Sequence, residues 1–241
     1  MKIHSKIDIG KVRSSNQDAF FVGEIAKDTV VAIVCDGMGG ANAGNVASET
    51  AVKLIFEYIA NSFRKNMSLI DISNLLKNAV KSVNMEIFDI ASKNSMLSGM
   101  GTTAVIAIVT EKFAVIANVG DSRAYLVNNK ISQITRDHSI VQTLIESGKI
   151  TEEDAKIHPR KNVITRAIGA EEDVAVDCDI IDLNSGDSVL LCTDGLSNFV
   201  DEAEILKIFK KNDISKVADK LVTLANANGG GDNITVVTVT V

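Results

Sequence analysis

Short apolar runs alternate with polar, turn-rich segments along most of this chain, and their lengths are those of strands. Strands are expected at 3–9, 18–23, 28–35, 102–109, 113–119, 123–127, 131–134, 174–181, 187–192 and 234–241. Asn128-Asn129, between RAYLV and KISQI, predicts a tight hairpin turn. The period changes between the third and fourth strands. There Val46, Ala47, Thr50, Ala51, Leu54, Ile55 and Tyr58 recur at three- and four-residue spacing, and so do Leu75, Leu76, Ala79, Val80, Val83, Ile87 and Ile90. Two amphipathic helices are expected, with Ser68 and Asp71 placed to cap the second. Two more helices are expected at 201–210 and 214–227, with Asp201 near the start of the former. Strands joined by hairpin signals, with helices grouped elsewhere, predict an α+β fold in which antiparallel sheets are covered by paired helices.

The stretch 136–169 breaks this rhythm. It holds a short amphipathic segment (SIVQTLIESG), a helix-start signal (TEEDA) and a basic island of Lys156, His158, Arg160, Lys161 and Arg166. A long polar excursion between strands suits a functional loop or lid.

Composition narrows the setting. The 241 residues carry a single Pro, no Ser/Gly-rich or Pro-rich tract and no repeat of fixed period, so one compact domain is expected. With 46% hydrophobic and only 4% aromatic residues, the core must be aliphatic. A net charge of −6 argues against nucleic acid or an anionic membrane surface as a general partner. No apolar run approaches the roughly 20 residues that span a bilayer. MKIHSKIDIG lacks the apolar stretch of a signal peptide, and the chain ends inside an apolar strand. A soluble, cytoplasmic monomer is the expectation. Cys35, Cys178 and Cys192 all lie in strand-like runs without a Cys-x-x-Cys, which predicts reduced core residues rather than disulfides or a zinc site.

Four strand ends carry the candidate chemistry. VVAIVC runs into Asp36-Gly37, FAVIANVG into Asp121-Ser122 and SVLLCT into Asp194-Gly195, while Asp232-Asn233 stands immediately before ITVVTVTV. A single Asp-Gly is an ordinary turn signal. Four carboxylates on separate strands ask for a common cause, and hard divalent cations held by oxygen ligands supply one. The turn DGMGGANAG could open a dinucleotide fold, but the third glycine of G-x-G-x-x-G falls on Asn42, and Asp36 would repel a pyrophosphate. Beside a cation, Gly37 and the Gly39-Gly40 pair would instead let the backbone come close enough for a carbonyl to join the metal shell.

Other phosphoryl-handling sites are excluded. A cysteine phosphatase needs Arg six residues after its thiolate, where this chain has Ala41, Asn184 and Asn198. His4, His138 and His158 are too few and too scattered for a histidine-rich metal site. Asp177-Cys178-Asp179 mimics the D-x-D of a phospho-aspartyl hydrolase, but Val174, Val176, Cys178 and Ile180 alternate with it as in a half-exposed strand.

In order along the chain, RSSNQDAF (13–20), VCDGMGG (34–40), SGMGTTA (98–104), NVGDSRAY (118–125), LLCTDGL (190–196) and GGGDNIT (229–235) resemble the signature blocks of the metal-dependent serine/threonine protein phosphatases, the PPM or PP2C family. The resemblance runs from about Arg13 to the C-terminus and is greatest to the short bacterial members. It implies two stacked antiparallel sheets flanked by antiparallel helix pairs, with 136–169 as a flap beside the active site. It implies two to three Mn²⁺ or Mg²⁺ ions. Asp36 would bridge two of them, with the Gly37 carbonyl on one and Asp194 and Asp232 on the other. Asp18 would hold metal-bound water or ligate weakly, Asp121 with Asp194 would hold the third ion, and Asn233 would orient the Asp232 loop. Arg13 would clamp the substrate phosphate. Hydrolysis of phosphoserine and phosphothreonine by direct attack of a metal-activated water is implied, on phosphoproteins that include a partner Ser/Thr kinase. Animal members have His where Met38 stands and Glu where Gln17 stands, changes usual among bacterial relatives. A non-catalytic phosphoprotein sensor and a two-metal phosphodiesterase or nuclease are the competing readings. Intact metal ligands disfavour the first, and the acidic balance disfavours the second.

Overall fold

Side-chain alternation in the strands divides the molecule into layers. The computed structural model describes residues 1–40 and 43–241; Ala41 and Asn42, used in the spacing tests above, lie outside the described residues. In order come β1 (Lys2–Asp8), β2 (Asp18–Ala26), β3 (Thr29–Met38), α1 (Ala43–Ser62), α2 (Leu69–Lys93), β4 (Gly101–Thr102), β5 (Ala104–Thr110), β6 (Phe113–Val119), β7 (Arg123–Val127), β8 (Ile131–Gln133), α3 (Ile140–Glu146), α4 (Glu152–Ile157), β9 (Asp177–Asp182), β10 (Ser188–Cys192), α5 (Asp194–Ser197), α6 (Glu202–Lys211), α7 (Val217–Ala227) and β11 (Ile234–Thr240). One sheet has the order β1-β11-β10-β7-β8 and the other β2-β3-β5-β6-β9, with β4 pairing β3 off this path. Every pairing is antiparallel.

Strand β3 shows why the layers stack. Val31, Ile33 and Cys35 join α1 and α2 in one buried cluster, while Val30, Ala32 and Val34 face Val189, Leu191, Val237 and Val239 of the other sheet. A strand buried on both faces reads as a continuous apolar run, which is how VVAIVC appears. A third cluster packs Leu190, Cys192 and Val236 against Ile205, Leu221 and Ala225 of α6 and α7. The result is the expected helix–sheet–sheet–helix sandwich. Ser68 caps α2 through a capping box with Asp71, and Asp201 caps α6 by accepting from the Glu204 N–H.

Several local expectations change. The strand placed at 102–109 breaks at Thr103, because the Thr102 N–H donates to Ile168 O and the Thr103 N–H to Asp36 O. Strand β3 continues through Asp36 to Met38, so this aspartate lies in the strand rather than beyond it. The β7–β8 hairpin closes over three residues, with Val127 opposite Ile131. The last helix opens as a 3₁₀ turn over Ile214–Lys216, capped by Asp213. The ninth strand starts at Asp177, leaving Val174 buried in a loop. Cys35 and Cys192 are buried and free, but Cys178 is only half-buried. Among the described residues no helix is long and apolar enough to cross a membrane.

Candidate active site

Strand direction gathers the carboxylates at one end of the sandwich. Asp18 opens β2 directly opposite Asp36 on β3. Asp121 lies between the end of β6 and the start of β7, Asp194 just follows β10, and Asp232 lies two residues before β11. Because β10 is antiparallel to both β7 and β11, the Asp121, Asp194 and Asp232 positions share that end. Asp36, Asp121, Asp194 and Asp232 line one cavity of about 230 Å³ with Arg13, and Gly37, Gly39 and Asn233 also border it. Asp18 is buried beneath, 7% exposed.

Threonines hold this floor. The Asp36 N–H donates to Thr103 Oγ1 at 3.0 Å, and Thr102 Oγ1 donates to Asp36 O at 2.9 Å. Asp18 Oδ2 accepts from Thr193 Oγ1 at 2.9 Å and Thr235 Oγ1 at 2.6 Å. These residues sit inside the sequence blocks GTTA, CTDG and DNIT, yet their roles did not emerge from the sequence. Asn162 and Ile164, brought in from the 136–169 excursion, also line the cavity and were not expected.

Asn233 ties two loops together. Its Nδ2 donates to Ile9 O at 2.9 Å and Ser15 O at 3.0 Å, and its Oδ1 accepts from the Gln17 N–H at 2.8 Å. The loop bearing Arg13 is thereby fixed to the loop bearing Asp232. Arg13 Nη2 donates to Asp232 Oδ2 at 2.7 Å, and this hydrogen bond raises the guanidinium pKa. A side chain at Gly37 would stand 2.0 Å from Gly44 O, so only glycine lets the start of α1 approach β3. At Gly40 a side chain would meet open space, so close backbone approach is a property of Gly37 and not of that position.

The electrostatics are unbalanced. Burial first, then the neighbouring carboxylates, pushes Asp194 up to about 6 and Asp121 up to about 8. Asp18 rises to about 7, chiefly by burial, against the pull of its two threonines. Asp36 is pushed well above the ordinary range by burial and by the charge of Asp18 and Asp194. Each of Asp36, Asp121 and Asp194 keeps an edge on the cavity, but the surrounding protein shields it from bulk water. Asp18 Oδ1 and Asp194 Oδ1 are buried without a hydrogen-bond partner. Orphaned carboxylate oxygens beside repelling carboxylates form an all-oxygen donor set that fits hard divalent cations. Among the described residues no group of three or more His, Cys, Asp or Glu side chains is placed to hold a metal ion as the side chains lie, so a shell would need side-chain adjustment as well as water.

The remaining sequence candidates lie as follows. Asp177 opens β9 and pairs with Arg166 at 2.8 Å, which removes Arg166 from the exposed basic island. Asp179 is on the same edge strand and outside the cavity lining.

Known proteins match this chain over its whole length. The family model described as Protein phosphatase 2C matches residues 11–226. The serine/threonine phosphatase stp of Listeria innocua is 43% identical over 244 residues, covering 99% of this chain and 95% of that protein. The crystal structure of the serine/threonine phosphatase Stp1 from Staphylococcus aureus superposes with a TM-score of 0.94 at 37% identity, covering 100% of this chain and 94% of that one. The catalytic domain of the serine/threonine protein phosphatase PstP, solved with two manganese ions, gives 0.84 at 30% identity and covers 98% and 96%. With a family match over most of its length and relatives this similar, the chain belongs to the protein phosphatase 2C family.

Proposed function

We propose that this chain is a Mn²⁺- or Mg²⁺-dependent serine/threonine protein phosphatase, one domain with residues 136–169 as a flap over its active site. The observation that carries the reading is the meeting of Asp36, Asp121, Asp194 and Asp232, from four distant segments, in one cavity rimmed by Arg13. Asp36 with the Gly37 carbonyl, Asp194 and Asp232 would hold two cations, Asp121 with Asp194 would hold a third, and Asp18 would act through water from below. Two such cations, when bound, lower the pKa of water toward neutrality and neutralise charge on the phosphoryl group.

The protein's own groups do the rest. Arg13 stands at the rim, where its guanidinium can present two N–H groups to the phosphate of a phosphoserine or phosphothreonine. Its link to Asp232 keeps it aimed inward. Asn233 holds both loops in register, and Thr193 and Thr235 orient Asp18. Met38 also lines the cavity, and a thioether has no proton to give, so protonation of the leaving serine falls to water. The substrates are phosphorylated proteins, a cognate Ser/Thr kinase among them, and the enzyme works as a cytoplasmic monomer.

The test uses the Mn²⁺-loaded protein with a phosphoserine peptide and, in parallel, bis(p-nitrophenyl) phosphate. Phosphate release from the peptide, little attack on the diester and complete loss of turnover in excess EDTA are expected. Turnover that survives EDTA would refute the metal-dependent reading. A preference for the diester would favour a phosphodiesterase instead, and binding without turnover would favour a sensor.

A further inference from the structure

His138 is a deeply buried titratable group that the proposed chemistry leaves unused. It is 2% exposed and lies where the 140–164 excursion both leaves and rejoins the fold. The Thr165 N–H donates to His138 O at 2.8 Å, the Ile140 N–H donates to Val163 O, and Ser139 and Ile164 form an isolated antiparallel bridge.

The imidazole faces the other way. Its Nδ1 lies 3.0 Å from the Gly120 backbone nitrogen, and the His138 N–H donates to Gly120 O at 2.9 Å. A backbone N–H can only donate, so Nδ1 must be the bare nitrogen and Nε2 must carry the proton. That proton points to Asp177 Oδ2 at 3.0 Å, whose other oxygen accepts from Arg166 Nη1 at 2.8 Å. Arg166 Nη1 also lies 3.1 Å from Nε2, but two donors cannot bond each other, so Asp177 accepts from both.

Gly120 is the residue before Asp121. It has φ +105°, and a side chain there would stand 2.5 Å from Thr103 Cγ2, so the loop has no freedom to shift as a unit toward the core. Beyond Asp121, Ser122 Oγ meets Thr103 Oγ1 at 2.7 Å, and that threonine accepts from the Asp36 N–H. From these contacts we infer that His138, oriented by Asp177, is a positioning residue that locks the Asp121 loop to the base of the flap. The inference rests on the reading of Asp121 as a ligand of the third cation. It adds that this site is built only while the flap base is closed, because one residue serves both through its backbone and its ring.

The test compares His138→Leu, His138→Asn and Asp177→Ala with the parent. His138→Asn returns an acceptor near Nδ1, whereas Asp177→Ala alters a half-exposed side chain and leaves the imidazole in place. In the metal-free protein, amide hydrogen exchange at residues 119–122 should quicken in His138→Leu and Asp177→Ala and return toward the parent in His138→Asn. Long-range ¹H–¹⁵N spectra of the parent should show the Nε2–H tautomer. In calorimetric titration with Mn²⁺, the weakest site should weaken about 10–100-fold in the first two variants, with the tighter sites unchanged. Turnover of the phosphopeptide should fall by a similar factor through kcat, with KM steady. Asp121→Ala is the control. If it changes neither Mn²⁺ stoichiometry nor turnover, the reading of Asp121 fails. If Asp121→Ala has these effects while Asp177→Ala leaves exchange and Mn²⁺ binding unchanged, or if the Nδ1–H tautomer is found, the role given to His138 is wrong. Should His138→Leu not fold, Asp177→Ala decides the matter.

Discussion

Two polar clusters occupy neighbouring parts of the same end of this sandwich, and they are built on opposite principles. In one, Arg123 donates to both oxygens of Asp137, with Nε at 2.9 Å from Oδ1 and Nη2 at 2.7 Å from Oδ2. Gln133 Nε2 donates to the same carboxylate, and the third guanidinium nitrogen reaches the Tyr125 hydroxyl. Charge is balanced there, with the side chains 27% and 11% exposed. In the other, Asp18, Asp36, Asp121, Asp194 and Asp232 crowd together against Arg13, with buried oxygens left unpaired. The first cluster is complete by itself and serves the fold. The second holds uncompensated negative charge that a bound cation would relieve, and on that difference rests its proposed role as the working site.

The largest effect expected from this contrast is kinetic. Asp36→Asn should lower turnover of a phosphoserine peptide by more than the roughly 100-fold typical of an outer-shell change. Yet it removes a carboxyl whose ionisation burial and the crowd of like charges oppose, so above the ordinary carboxylate pKa the metal-free variant should melt higher than the metal-free parent. Phosphate release and a thermal melt in EDTA check both halves. Near-parental rates would show that Asp36 is not a ligand. A lower melting temperature would show that the crowding costs the fold nothing.

The same contrast explains what the sequence disclosed. Apolar runs bounded by aspartate were visible because burial on both faces keeps charged residues out of the strand, so the first carboxylate stands out. The four residues ending those runs are the ones that line the cavity. What stayed hidden depends on partners distant in the chain. The break at Thr103 follows from a hydrogen bond to Asp36 O, and nothing local to GTTA announces it. Thr193 and Thr235 become supports only because Asp18 arrives between them. Asn162 and Ile164 reach the cavity because 136–169 folds back, a placement that polarity alone does not encode. His138 looked like an isolated histidine because its partners, Gly120 just past β6 and Asp177 at the start of β9, are distant in the chain.

Breaking the balanced cluster should have the converse outcome. Arg123→Met leaves Asp137 with a poorly compensated charge, and removing one member of such a pair costs about 3 kcal/mol, the low end of the range because the arginine is partly exposed. A fall in melting temperature of about 6–12 °C is expected for a chain of this size. Turnover of the folded fraction should stay within about tenfold of the parent. A collapse of turnover at unchanged stability would move Arg123 into the active site and erase the distinction.

Titration sharpens the comparison further. With folded-state values of about 6, 7 and 8 at Asp194, Asp18 and Asp121 against an ordinary 3.8, the folded metal-free chain holds more protons than the unfolded one. The stability that these three groups contribute is therefore fully present below pH 3.8 and is lost as pH rises toward about 8. The slope is about 1.4 kcal/mol per pH unit for each extra proton held. Manganese should reverse the trend, because ligation requires the ionised carboxylates. Melting curves in EDTA and in Mn²⁺ between pH 5 and 8 give the two slopes. Parallel slopes would mean that the cations do not bind these aspartates.

The smallest effect is the most discriminating. Replacing the whole balanced pair, as in Arg123→Met with Asp137→Leu, removes both charges and leaves the Tyr125 hydroxyl to find a new partner, while Gln133 Nε2 keeps Thr135 O. Apolar replacement of a buried ion pair is often close to neutral. The double variant should therefore recover most of what Arg123→Met lost and melt within about 1–2 kcal/mol of the parent. Its turnover should remain near parental, because no group that faces the phosphate has changed. The matching replacement in the other cluster, Asp36→Asn with Asp194→Asn, should raise metal-free stability while leaving no turnover and no tight Mn²⁺ binding. If instead the Arg123 and Asp137 double variant melts as low as the single one, the pair contributes through geometry that apolar groups cannot replace. The two clusters would then differ in degree of charge balance and not in kind.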